Sequence, residues 1–148
     1  MATGQKMKIY IKGIQRTPDL PGQAEEAFET IQHVEAEYFC KGDSHYFFYE
    51  EQPEGFSKPL KTRIKLKGQT LEIYRQGPGG NRMFWEPGQR YRTEYVTPYG
   101  ALLLDIVTES FWTDAEWDGA SRPFVAVEYT LENEGEALSC NRLEIGKE

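Results

Sequence analysis

Apolar and polar residues alternate with a period of two along most of the chain. Residues 60–67 read Leu-Lys-Thr-Arg-Ile-Lys-Leu-Lys, so basic side chains separate apolar or Thr positions. The same alternation recurs at residues 7–12, 71–74, 91–97, 102–108, 125–131 and 143–145. This period places successive side chains on opposite faces of a β-strand. Turn sequences rich in Gly, Asp and Pro separate the stretches, so the pattern predicts a series of antiparallel strands.

The two clearest alternating stretches lie on either side of Lys67-Gly68 and predict a β-hairpin. A two-residue loop at these positions pairs Ile64 with Leu71 on one face. The same register sets Arg63 opposite Glu72 on the other face. Apolar residues then meet apolar residues and a basic residue meets an acidic one, as cross-strand pairs in stable hairpins do.

Residues 24–38 fit two patterns. From Ala24 to Val34 the apolar residues follow the spacing of a helix, and Pro21-Gly22 precedes them. Read as a strand, the same region places Phe28, Val34 and Tyr38 on one face and glutamates on the other. The pattern alone leaves helix and strand equally open here.

About eight to ten strands are predicted in all, a number that can close into a barrel with room for one small ligand. The length of 148 residues corresponds to one domain. The sequence shows no internal repeat, low-complexity segment or interdomain linker. We therefore expect residues 1–148 to form a single all-β domain, an antiparallel β-barrel.

The composition narrows the possible partners and location. The chain carries 8 Phe, 9 Tyr and 3 Trp, and this abundance favours sheets with an aromatic interior. Its net charge of −7 repels phosphate backbones, so we expect no binding of nucleic acid. No apolar run approaches a membrane span and the first residues do not resemble a secretory signal, so no membrane association and a cytoplasmic location are expected. The oligomeric state stays open.

Patterns that would indicate a metal, a cofactor or catalysis are weak. Cys40, Asp43 and His45 have neither the number nor the spacing of ligands typical of a zinc site. Cys40 and Cys140 are expected to be reduced thiols. The turn at Gly77-Pro78-Gly79-Gly80 lacks the GK[ST] ending of a phosphate-binding loop, and no helix pattern follows it. No cofactor or metal is expected, and an enzyme is not favoured.

Charged residues in phase with the predicted core give the only candidate site. If Leu71 and Ile73 point into the barrel, Arg75 does so too, and Glu50 is taken to face inward with Tyr46 and Phe48. A charge inside a barrel is costly unless it is paired or lies in water at the mouth. The alternatives are a structural ion pair, exposure at the mouth, or an arginine that anchors a polar or anionic ligand. The candidate ligand-binding residues are Glu50, Arg75, Tyr95, Thr97 and Tyr99.

Several strings of residues resemble a known family over nearly the whole chain and in the right order. They are Tyr49-Glu50-Glu51, Arg75-Gln76-Gly77, Arg82-Met83-Phe84 with Glu86, Tyr95-Val96-Thr97-Pro98-Tyr99-Gly100 followed by Thr108, Tyr129-Thr130-Leu131 and Asn141-Arg142-Leu143-Glu144-Ile145. The chain resembles the YwiB-like family of uncharacterised bacterial β-barrel proteins, which is similar in architecture to the calycins, the lipocalin-like barrels. This resemblance implies a strand before Tyr38 and a lipocalin-like barrel, and it assigns no catalytic residue.

Two functions of different classes follow from these expectations. The first is a barrel that binds one small, partly apolar or anionic ligand, with Arg75 as the polar anchor. The second is a non-catalytic protein–protein interaction module whose barrel is filled by its own side chains. A cavity inside the barrel large enough for a ligand favours the first, and a filled interior favours the second.

Overall fold

The computed structural model describes residues 4–17, 27–52, 55, 57–77, 80–97, 100–114 and 123–148, with the backbone alone described at 96 and 97. These residues form ten strands, at the upper end of the predicted number. The strands are β1 (Gln5–Arg16), β2 (Ala27–Lys41), β3 (Ser44–Glu51), β4 (Leu60–Lys67), β5 (Thr70–Gln76), β6 (Arg82–Trp85), β7 (Arg90–Thr97), β8 (Gly100–Thr113), β9 (Pro123–Asn133) and β10 (Glu136–Lys147). Over the same residues, no helix has the length and apolar character needed to cross a membrane.

All ten strands belong to one antiparallel sheet that curls into a nearly closed barrel. Consecutive strands pair with each other except β6 and β7, and β1 pairs with β10, so the sheet runs β6-β5-β4-β3-β2-β1-β10-β9-β8-β7. The two ends of the sheet, β6 and β7, lie side by side, and the hydroxyl of Thr93 donates a hydrogen bond to the carbonyl oxygen of Arg82. The prediction of an all-β antiparallel barrel is confirmed. We call the junction between β6 and β7 the seam.

The ambiguous region before Tyr38 is a strand. β2 begins at Ala27 and pairs with β1 from Ala27 to Tyr38; residues 24–26 lie outside the described part of the chain. Ala36 is buried and Val34 packs against the core, while Glu35 and Glu37 are exposed. The strand pattern is therefore correct here, as the family resemblance implied.

The β4–β5 hairpin has the predicted faces but a register that differs by two residues. Ile64 pairs with Ile73 and Leu66 with Leu71, so the loop is Gly68-Gln69. Gly68 has a φ of +56°, and a two-residue hairpin loop with glycine first suits this left-handed conformation. A shift of two residues keeps every side chain on its predicted face, so the apolar pattern did not distinguish the two registers.

The two ends of the barrel differ in character. One end, which we call the apolar end, is filled by large buried side chains from opposite walls. Phe47 of β3 stacks on Phe124 of β9 with ring centroids 5.3 Å apart and an interplanar angle of 9°. Leu71 and Trp85 are also fully buried in this core. The opposite end, where β3 and β5 finish, carries inward-facing polar side chains and is called the polar end.

Candidate functional site

Arg75 lies on the inner face of β5 at the polar end. Leu71 and Ile73, four and two residues earlier on the same face, are fully buried. The backbone N–H of Arg75 donates a hydrogen bond to the carbonyl oxygen of Asn81, at 2.8 Å, which folds the next strand back over it. A Cβ at Gly80 would clash with the carbonyl oxygen of Arg75, so only glycine permits this close approach.

The guanidinium of Arg75 is held by a carboxylate on the neighbouring wall. Its Nε donates a hydrogen bond to Oε2 of Glu51 at 2.9 Å, and its Nη1 donates to Oδ1 of Asn81 at 3.3 Å. The hydroxyl of Thr62 donates to the same Glu51 oxygen at 2.6 Å, and the amide of Gln32 donates to the other oxygen at 3.1 Å. The side chains of Arg75 and Glu51 are only 25% and 14% exposed, so this is an inner ion pair with its hydrogen bonds largely satisfied.

The surroundings keep Glu51 ionised. Burial by itself raises the pKa of this carboxyl, but the charge of Arg75 and the hydrogen bonds from Thr62, Gln32 and Arg75 outweigh it. The pKa of Glu51 therefore lies below its ordinary value. At neutral pH the site therefore contains a charged pair. The Nε and Nη1 donors of Arg75 are used by Glu51 and Asn81.

The prediction that Glu50 faces inward with Tyr46 and Phe48 is wrong. Glu50 is exposed on the outer face of β3, opposite Lys61 of β4. The inward residues of this strand are Phe47, Tyr49 and Glu51. Both faces of β3 carry aromatic residues, so the period-two pattern has the same strength in either phase. Arg75 does bind a carboxylate inside the barrel, but the partner is the next residue along the chain.

Two tyrosines, Tyr49 and Tyr129, lie close enough to Arg75 to interact with its charge. Tyr49 is 8% exposed, and its hydroxyl has no hydrogen-bond partner among the described residues. Burial raises the pKa of Tyr129 to about 12. The positive charge of Arg75 opposes this shift, and the nearby Tyr95 adds to it. Burial likewise raises the pKa of Tyr49, with Glu51 adding to the shift and Arg75 opposing it. These phenols stay protonated at physiological pH, so their hydroxyls can donate hydrogen bonds to an acceptor beside Arg75.

Tyr95 and the backbone of Thr97 lie at the rim of the polar end. Tyr95 is 44% exposed and pairs with Leu102 near the tip of the β7–β8 hairpin. The backbone of Thr97 pairs with Gly100 at that tip. Tyr99 lies outside the described residues. Among the described residues of the five predicted for the site, Arg75 lies inside the barrel, Tyr95 interacts with Tyr129 near it, and Glu50 lies on the outer face.

A cleft of about 420 Å³ opens along the seam and reaches Arg75. Its walls come from the end of β5, the start of β6 and the second half of β7. The side chains that give it its chemical character are those of Arg75, Asn81, Arg82, Tyr91, Arg92 and Glu94. We call this space the seam cleft. Three of these six residues are arginines and one is a glutamate.

Each arginine of the seam cleft is held by its own acidic residue. Nε of Arg82 lies 3.2 Å from an oxygen of Glu72, and the Arg82 guanidinium lies 5.0 Å from the centre of the Tyr74 ring. Nε of Arg92 donates to Asp105 at 2.9 Å. Hydrogen bonds from Arg92 lower the pKa of this carboxyl against the opposing effect of burial. Arginines fixed in this way keep further N–H donors for a ligand and lose little side-chain entropy on binding it.

Sequence reasoning missed Glu51, Arg82, Arg92, Tyr49 and Tyr129 as members of this site. The residue types were visible, but their convergence depends on which two strands end the sheet. The seam is a property of the closed barrel, and no local pattern in residues 82–97 marks it.

The cysteine and histidine residues do not assemble a metal site in the described part of the chain. No group of three or more His, Cys, Asp or Glu side chains there is placed to hold a metal ion. His45 lies opposite Cys40 in the β2–β3 hairpin and shares a hydrogen bond of 2.6 Å with the hydroxyl of Tyr38. Burial lowers the pKa of His45, against the charge of Asp43.

We expect two free thiols in the native protein. Cys40 and Cys140 are both free and exposed. They lie near opposite ends of β1, since Tyr38 pairs with Gln5 and Cys140 with Arg16, a span of roughly 36 Å at about 3.3 Å per residue. A disulfide within one chain needs Cα atoms less than about 7 Å apart. A thiol reagent should therefore label two groups per chain without denaturant, and finding one group or none would contradict this arrangement.

Comparison with known proteins gives a family and a fold. Residues 9–145 match the family described as a domain of unknown function, DUF1934. The fold is similar to that in the crystal structure of the ywiB protein from Bacillus subtilis, with a TM-score of 0.64 and 16% sequence identity. That similarity covers 99% of this chain and 95% of the other. No curated protein matches the sequence.

Proposed function

Because the chain belongs to the DUF1934 family, whose description assigns no function, we propose from the site itself that it is a barrel that binds a small anionic ligand in the seam cleft. The observation that carries this proposal is the convergence of Arg75, Arg82 and Arg92 on one cleft, each already fixed by a separate acidic residue. Fixed guanidinium groups recognise carboxylate and phosphate groups, which accept two parallel hydrogen bonds.

The rest of the site suits a ligand that also has a partly apolar body. Tyr91 lines the seam cleft, and its ring lies 5.7 Å from that of Phe84. Inside the barrel, the side chains of Tyr49 and Tyr129 interact with the charge of Arg75, which the seam cleft also reaches. A volume of about 420 Å³ falls in the range of small-molecule sites. Glu51 is kept ionised and the phenols of Tyr49 and Tyr129 are kept protonated, so none of these groups beside Arg75 exchanges a proton near neutral pH, which favours recognition over acid–base catalysis.

A first experiment looks for the ligand itself. Native mass spectrometry of the protein purified from its own cells should show a second species heavier by the mass of a small molecule. Denaturation should release that molecule for identification. A single species equal to the chain mass, from several growth conditions, would count against a tightly held ligand.

A second experiment tests the anion site and its arginines. Thermal unfolding is followed with inorganic phosphate, citrate and a nucleoside monophosphate as probes. A probe at 100 times its Kd stabilises by about 2.7 kcal/mol, which for a chain of this size raises Tm by about 5–10 °C. Arg92→Gln should weaken binding about tenfold to a hundredfold, because a hydrogen bond to a charged group is worth about 1.5–3 kcal/mol.

The matched control is Arg142→Gln. Arg142 also pairs with two acidic residues, Glu128 and Glu144, but it lies on β10, far from the seam in the order of strands. Its removal should leave probe binding unchanged. If both variants bind the probe equally well, or if no anion raises Tm, the seam cleft is not the site.

The filled apolar end favours a second candidate, a non-catalytic protein–protein interaction module. Phe47, Trp85 and Phe124 occupy the interior there, so no ligand can pass through the barrel. In that case no small molecule co-purifies, and the function lies on the outer surface. The two candidates therefore give opposite results in the mass spectrometry experiment.

A further inference from the structure

Two rows of aromatic and basic side chains cross the outer face of β2–β6. Cross-strand register aligns Phe39, Tyr46, Lys65, Glu72 and Phe84 in one row, and Glu37, Phe48, Arg63, Tyr74 and Arg82 in the other. Five of these ten residues are aromatic, and all ten are at least partly exposed. Outer faces of soluble barrels are usually polar, so this concentration of rings calls for a function. We call these two rows the aromatic–basic face.

Lysines border the aromatic–basic face on both sides. Lys41 and Lys67 lie beyond the first row, and Lys61 lies beyond the second beside Glu50. With these flanking positions the face has six basic and three acidic side chains, whereas the whole chain has a net charge of −7. This face is therefore locally positive, although the chain as a whole is negative.

The rings and cations are in direct contact. Lys65 Nζ lies 5.6 Å from the centre of the Tyr46 ring, and Arg63 lies 5.5 Å from that of Tyr74. Phe48, which is 40% exposed, lies 6.4 Å from Tyr46 in a parallel arrangement. Bases stack on such rings while adjacent lysines and arginines neutralise the phosphates, and this combination binds single strands without sequence preference.

From this arrangement we infer that the aromatic–basic face binds single-stranded nucleic acid. β3, β4 and β5 have paired neighbours on both sides, so a peptide cannot join there as an extra strand. Recognition must pass through side chains that stand on a sheet surface, and stacked bases suit this geometry. The expectation of no nucleic-acid binding rested on the net charge of the whole chain, and the local charge of this face has the opposite sign.

The test measures fluorescence anisotropy of a labelled 12-nucleotide oligouridylate at 50 mM salt. We expect saturable binding that weakens as salt increases, and weaker binding of a 12-base-pair duplex, whose bases are not available to stack. Phe48→Ala should weaken oligouridylate binding about tenfold, as the loss of one stacked base does. The double variant Lys61→Gln/Lys65→Gln should lower the slope of log K against log salt by about 1.4, since each phosphate contact on a single strand contributes about 0.7.

The controls separate this face from the rest of the molecule. Trp112→Ala removes an aromatic residue that is 51% exposed on β8, and Arg142→Gln removes a basic residue of β10; both should leave oligouridylate binding unchanged. Far-ultraviolet circular dichroism checks that the variants fold.

Several outcomes overturn the inference. They are no binding at 50 mM salt, an equal loss in Phe48→Ala and Trp112→Ala, or binding of an acidic peptide copolymer but not of oligouridylate. A dimer in sedimentation that Phe48→Ala dissociates would assign the face to self-association. The face and the seam cleft share Arg82, so anion binding in the cleft is tested separately through Arg92, which lies outside the face.

Discussion

Replacing Phe47 by Ala should destabilise the protein by about 3–5 kcal/mol. Phe47 is fully buried and contacts Tyr38 and Phe124, with ring centroids 5.1 Å and 5.3 Å away. Truncation removes the apolar area of the ring and leaves a cavity in the core, and substitutions of this kind in protein cores lose this much stability. The contact with Phe124 also joins β3 to β9 through the barrel, so its loss weakens the packing between opposite walls.

Urea denaturation of wild type, Phe47→Ala and Phe48→Ala measures this effect. Phe48 is the matched control because it has the same chemistry one residue later but lies on the outer face, 40% exposed. Its truncation should cost no more than about 1 kcal/mol, the range of a cross-strand pair at the surface. Phe47→Leu, which keeps most of the volume, should cost less than Phe47→Ala. Equal effects at positions 47 and 48 would contradict the observed orientation of β3.

This pair of residues also shows how far the sequence determines the fold. Where one face of a strand is polar, as in β4, the alternation assigned every residue correctly: Leu60, Thr62, Ile64 and Leu66 are all buried. In β3 both faces carry aromatic residues, so hydrophobicity does not alternate along the strand. The sequence therefore does not show which residues of β3 point inward. Glu50 was therefore assigned to the interior in place of Glu51. Burial of one face sets the orientation of a strand only when the other face differs from it.

The candidate site was predictable only in part for a related reason. Arg75 continues the strong alternation of Leu71 and Ile73, so its inward direction followed from the sequence, and the cost of burying a charge implied a carboxylate partner. The seam cleft depends on β6 and β7 being the two ends of the sheet. Consecutive strands pair everywhere else in this barrel, so local reasoning would join these two as well. A β6–β7 hairpin would leave no cleft between Arg82 and Arg92, so the seam cleft could be recognised only after the ends of the sheet were known.

Removing Arg75 should reveal how much stability the inner ion pair provides. Arg75→Met leaves Glu51, 14% exposed, without its counter-charge, while Thr62 and Gln32 still donate to it. Breaking a buried pair costs about 3–5 kcal/mol, and partial exposure at the polar end reduces this to about 2–3 kcal/mol. Urea denaturation at pH 7 measures the loss.

A second substitution separates the effect of the unpaired Glu51 charge from the effect of lost packing. In Arg75→Met/Glu51→Gln the negative charge is gone and an amide oxygen remains to accept the hydrogen bond from Thr62. The double variant should therefore recover much of the stability lost in Arg75→Met, and the cycle through Glu51→Gln gives the coupling energy. Glu50→Gln, one residue away on the outer face, should change stability by less than about 0.5 kcal/mol. A double variant no more stable than Arg75→Met would mean that packing, not charge, is what Arg75 provides.

The dependence on pH gives an independent check of the same pair. In the folded wild type the pKa of Glu51 lies below its ordinary value, so the unfolded chain binds the proton more readily than the folded one. The stabilisation from the pair is therefore present at neutral pH and is lost as pH falls through the folded pKa. Arg75→Met lacks most of this contribution at every pH. The difference in unfolding free energy between the two proteins should thus shrink as pH falls below about 4, near the ordinary pKa of a carboxyl group. A difference that stays constant from pH 7 to pH 3 would show that Arg75 stabilises the barrel without its charge.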